Sequence, residues 1–76
     1  MTWIFHLRAT EDPRLFSRIL QILVSQMVSI RSFAGEVNNG EAYVTLVVSS
    51  EEDKACRIEA LLERLQHVRN VSVLSK

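Results

Sequence analysis

The sequence predicts an α+β fold in which a four-stranded antiparallel sheet carries two helices on one face. Two segments, around residues 13–26 and 51–65, repeat apolar residues at helical spacing. Four others alternate or are rich in β-branched residues, as half-buried strands are. Their order is strand, helix, strand, strand, helix, strand. Strand-helix-strand thus occurs twice, the ferredoxin-like βαββαβ order of a split βαβ fold.

In the first strand, Trp3 to Ala9, one side carries Phe5, Leu7 and Ala9 and the other carries His6 and Arg8. The first helix is predicted from Pro13 to about Gln26. Phe16, Ile19, Leu20, Leu23 and Met27 form its buried stripe, widened by Leu15 and Ile22, while Arg14, Ser17, Arg18, Gln21 and Ser25 take the wet side. Its start is marked twice. Asp12 can accept a backbone N–H of the first turn, and Pro13 falls where a missing N–H costs nothing.

Val28 to Phe33 resumes period two as a second strand, and Gly35 to Gly40, with Asn38-Asn39-Gly40, signals a hairpin turn. Ala42 to Val48 is the strongest β-former, with Val44, Leu46 and Val48 toward the core and Tyr43, Thr45 and Val47 away from it. Ser50 is predicted to cap the second helix, followed by Glu51, Glu52 and Asp53 at the positive end of its dipole. Its buried stripe is Ala55, Ile58, Leu62 and Leu65, with Leu61 beside it; Arg64 and His67 lie near its end. Asn70 to Leu74 forms the last strand. Nothing interrupts this order, so residues 1–76 are expected to be one domain.

Nine basic residues balance nine acidic ones, which provides no net field to draw nucleic acid or an anionic membrane and makes self-association easier. Cys56 is the only cysteine, so it forms no internal disulfide and suits a reducing compartment. Met1 to Arg8 alternates rather than forming the apolar stretch of a leader, and no apolar run approaches a membrane span. A cytoplasmic location is expected.

The helix start at Asp12-Pro13 is either plain punctuation or a dock where N–H groups meet a carboxylate. His6 reads as an exposed sheet residue, His67 as a helix-end cation and Cys56 as an inert thiol. Arg8, Arg14, Arg18 and Arg31 are either dispersed surface charge or a cluster for an acidic partner. Trp3, Phe33 and Tyr43 on an open sheet face would suit base stacking. Yet Glu41 to Val48 lacks the basic-Gly-aromatic pattern of RNA-recognition strands, so protein contact is the better use of these aromatics. Metallochaperone-like modules of this order need a Cys pair in the first loop, and Thr10 to Arg14 has none.

The sequence resembles an ACT domain, and within that family the small regulatory subunits of acetolactate (acetohydroxyacid) synthase, short valine-insensitive type. Three segments carry the resemblance: Glu11-Asp12-Pro13-Arg14-Leu15, with Arg18 beyond it; Met27-Val28-Ser29-Ile30-Arg31-Ser32-Phe33; and Leu62-Glu63-Arg64-Leu65-Gln66-His67-Val68. It implies an effector site at Glu11, Asp12, Arg14, Leu15, Ser29 and Ile30. Arg14 stands where effector-binding members have Gly. Glu11 and Ser29 stand where valine-binding subunits have Asn, and Met27 replaces a further Gly. These departures imply weak or absent valine binding.

The same resemblance implies a non-catalytic subunit, homodimeric, that binds and activates the large catalytic subunit of acetolactate synthase in branched-chain amino acid biosynthesis. Thiamine diphosphate, FAD and magnesium would belong to that partner, with none held by this chain. The alternative it leaves open is a stand-alone amino-acid-sensing ACT domain that regulates another enzyme or a regulator.

Overall fold

The computed structural model describes residues 1–75. Its elements are β1 (Thr2–Thr10), α1 (Leu15–Ser25), β2 (Ser29–Asn38), β3 (Glu41–Ser49), α2 (Glu52–Glu63) and β4 (Val68–Ser75). The strands form one sheet in the order β2-β3-β1-β4, each pair antiparallel. The predicted βαββαβ architecture is the one observed.

Register explains the core. Phe5 lies opposite Leu46 on one side and Val73 on the other, and Leu7 lies opposite Val44 and Val71. This row of side chains meets Leu15, Ile19 and Leu23 of α1 and Ala55, Ile58 and Leu62 of α2, all buried. Among the described residues no polar or charged side chain is buried with them.

The structure corrects several details. Trp3 shares the parity of Phe5 and faces the core, not the open face; it is 8% exposed, and its Nε1–H donates to the Ser50 carbonyl at 3.1 Å. Phe33 also faces the helices, so Tyr43 is the one aromatic of the three on the open face. β2 continues to Asn38, and the turn narrows to Asn39-Gly40, with φ of 54° and 77°. Positive φ at both central residues is the primed turn that matches strand twist, which is why Asn-Gly suits it.

Neither helix start is capped as simply as predicted. Regular α1 begins at Leu15, two residues beyond Pro13, after a turn. Glu51 rather than Ser50 occupies the cap position of α2, and the Ser50 hydroxyl donates to the Glu51 carbonyl instead. α1 also ends at Ser25, so Met27 leaves the predicted stripe: it has φ 57° and is 84% exposed. Leu20 is likewise exposed. Leu20 lies one turn beyond Phe16 on the side of α1 toward β2, an edge strand on which only Phe33 is partly buried, and Met27 lies past the helix end beside Ser49, Ser50 and Glu51.

Candidate functional site

The turn from β1 into α1 is organised by Asp12. One carboxylate oxygen, Oδ1, accepts the Arg14 N–H at 2.8 Å, and the Asp12 carbonyl accepts the Leu15 N–H at 3.0 Å. The sequence suggested that helix-start N–H groups stand open for a ligand carboxylate. Asp12 itself fills that role for Arg14.

Across from this turn stands His67, on the connection from α2 to β4. Its Nε2 is 3.4 Å from Asp12 Oδ2, while Arg14 Nε is 3.7 Å from Oδ1. His67 has φ 80°, a left-handed conformation that histidine tolerates better than most residues. Its carbonyl accepts the Thr10 N–H at 2.8 Å, and the Glu11 N–H donates to the Gly40 carbonyl at 2.8 Å. Three connections are thereby pinned at one end of the sheet.

Leu15, Arg18, Leu65 and Gln66 complete a cleft around Asp12, Arg14 and His67. Its interior volume is ≈ 10 Å³, room for about one water molecule and too little for an amino acid. No sequence spacing announced His67 as a partner of Asp12. The antiparallel pairing of Ala9 with Val68 is what brings the end of β1 beside the start of β4.

Ser29 and Ile30 are elsewhere. They open β2 opposite Ser49 and Val48, whereas the Asp12 turn lies at the other end of the sheet, where Asn38 pairs with Glu41. At 3.3 Å per residue, Ser29 and Asn38 are about 30 Å apart along the strand. One chain therefore does not bring the six candidate residues together. Glu11, Asp12, Arg14 and Leu15 form one group; Ser29 and Ile30 form another.

The four arginines do not form one cluster either. Arg8 is neutralised on the open face by Glu41, whose Oε2 accepts from its Nε at 2.8 Å and whose Oε1 lies 3.0 Å from Arg69 Nη1. Arg31 sits at an irregularity in β2 between Ile30 and Ser32. His6 meets Thr45, with Nδ1 3.2 Å from Oγ1. Among the described residues no group of three or more His, Cys, Asp or Glu side chains is placed to hold a metal ion. Among the described residues no helix is long and apolar enough to cross a membrane.

Two carboxyls titrate below their ordinary range. The Arg14 N–H, followed by the charges of Arg14, His67 and Arg18, lowers Asp12; the hydrogen bond from Arg8 is the main cause for Glu41. A carboxyl lowered by folding adds stability above its unfolded value, and that stability is lost as pH falls through the folded one. Unfolding by urea should therefore need less denaturant at about pH 3 than at pH 7, with part of the difference removed in Asp12→Asn. An equal pH response in Asp12→Asn and wild type would refute a contribution from this turn.

No protein-family model matches the sequence, and no curated protein matches it. Solved structures do match. The ACT domain from GTP pyrophosphokinase of Chlorobium tepidum superimposes with a TM-score of 0.86 at 16% identity, covering 97% of each chain. The chain has the fold of ACT domains. A homoserine dehydrogenase from Thiobacillus denitrificans matches with a TM-score of 0.80 and 23% identity, covering 96% of this chain and 16% of that one. The acetolactate synthase small subunit from Thermotoga maritima gives 0.81 at 13% identity, covering 96% of this chain and 47% of that one. This ACT fold thus spans about half of the small subunit and a minor part of the dehydrogenase.

Proposed function

We propose that this ACT fold serves as a non-catalytic regulatory subunit that binds and activates the catalytic subunit of an acetolactate synthase in the cytoplasm. The observation that carries the reading is the superposition on the Thermotoga maritima small subunit over nearly all of this chain. The three quoted sequence segments support it. Thiamine diphosphate, FAD and magnesium belong to the catalytic partner in this reading.

Self-association completes it. Of the eight exposed large hydrophobic residues among those described, Leu20 and Val24 lie on α1, Met27 on the connection that follows it, and Ile30 and Val37 on β2, the strand whose outer edge is unpaired. An apolar face beside a free edge invites a second copy. Antiparallel β2–β2 pairing about a twofold axis would set one copy's Ser29 and Ile30 beside the other's Asn38, at the end that holds the Asp12 turn. The two halves of the candidate site would then meet across the interface.

Valine binds weakly or not at all in this reading. Asp12 already occupies the Arg14 N–H, Arg14 stands at the cleft mouth, and Glu11 is an acceptor where an effector carboxylate needs a donor. The second reading, an ACT domain governing another enzyme, is favoured by the dehydrogenase and pyrophosphokinase matches. Adding the purified chain to its host's acetolactate synthase catalytic subunit decides between them. The expected result is faster acetolactate formation that 1 mM valine leaves unchanged, about ten times a 100 µM affinity. No binding and no activation would leave the second reading.

A further inference from the structure

Gly35 lies in the middle of β2 and turns its missing side chain toward α1. A Cβ there would sit 2.8 Å from Phe16 Cζ, 2.9 Å from Cε1 and 3.3 Å from Cε2. The Phe16 ring therefore rests on the strand itself. It also meets Phe33 edge to face, with centroids 6.0 Å apart and planes at 88°. Phe16 belongs to the first turn of α1, four residues after Asp12. On the helix-facing side of β2, Gly35 is flanked by Phe33 and Val37, with Ile30 beyond Phe33; Val37 and Ile30 are exposed.

We infer that Phe16 seated on Gly35 is a positioning contact that locks the Asp12 turn to the β2 edge, so that the turn and the face offered to a second copy move as one body. Gly35 admits the ring because it has no Cβ. Any alanine there must push the ring aside, and Phe16, only partly buried, has an open side toward the exposed face. Change at the Asp12 turn therefore reaches the middle of β2 through this ring, while the Glu11–Gly40 hydrogen bond ties the same turn to the hairpin end. The inference rests on the proposed self-association through β2.

The test is a thermodynamic cycle on the full chain, read as the dimer dissociation constant by sedimentation. Gly35→Ala and Asp12→Ala are each expected to weaken association about tenfold, and the double variant should be no weaker than Gly35→Ala alone. Adding Phe16→Leu to Gly35→Ala, which roughly conserves the volume of the pair, should restore association to within about threefold of wild type. A monomeric wild type would overturn both the self-association and the lock. A dimeric wild type in which the two losses add independently, or Gly35→Ala changes nothing, would overturn the lock alone. Failure of Phe16→Leu to rescue would place the loss in the strand and overturn it too.

Discussion

Phe5→Ala is expected to destabilise the chain by about 3–5 kcal/mol. Phe5 is fully buried in the central strand, between Leu46 and Val73, under both helices. Truncating a buried Phe costs about 3–5 kcal/mol, because the removed ring leaves a cavity that its neighbours only partly close. A domain of this length has about 4–11 kcal/mol of stability in total, at about 0.05–0.15 kcal/mol per residue. The loss is therefore about half of a mid-range stability and nearly all of it at the lower end. Urea unfolding followed by Trp3 fluorescence reads it directly, because Trp3 is buried on the same strand. A midpoint within about 0.3 M of wild type would show that the sheet does not depend on this ring.

The parity that places Phe5 in the core was legible, and so were Leu7, Val44, Leu46, Val48, Ala55, Ile58 and Leu62, because strands and helices of this length impose their period on which residues meet. Trp3 follows the same rule: its chemistry suits an open face, but its position on β1 places it in the core. Phe33 was harder. The register shift between Ile30 and Ser32 changes which residues of β2 face the helices, and a bulge leaves little trace in a sequence. Met27 fits the helical stripe by spacing, yet the helix ends before it, and its positive φ belongs to a terminus where Gly is usual.

The candidate site divided along the same line. Asp12-Pro13 was legible as a helix start because its chemistry is local. His67 was not, since its contact with Asp12 spans most of the chain and depends on β4 lying beside β1. The separation of Ser29 and Ile30 from the Asp12 turn is a matter of strand direction, which a resemblance by segments does not convey.

Val24→Glu is expected to abolish self-association while leaving the fold intact, and the opposite signs of its two effects make it diagnostic. Val24 is on α1 and 68% exposed, so little buried area is lost within one chain. Glu is the better helix former by a few tenths of a kcal/mol, which would slightly raise the stability of the isolated domain. In a twofold dimer the same carboxylate would enter an apolar contact with Leu20, Met27 and Ile30 of both copies, and burying it unpaired is costly. A weakening of about 100-fold or more, equal to about 2.7 kcal/mol, is expected. Sedimentation at tens of micromolar (about the range of modest affinities) should then show a dimer for wild type and a monomer for the variant, with matching circular dichroism. If both are dimers, the α1–β2 face is free of the contact, and the unpaired edge of β4 or the open sheet face, where Tyr43 and Leu74 are exposed, becomes the surface that joins two copies.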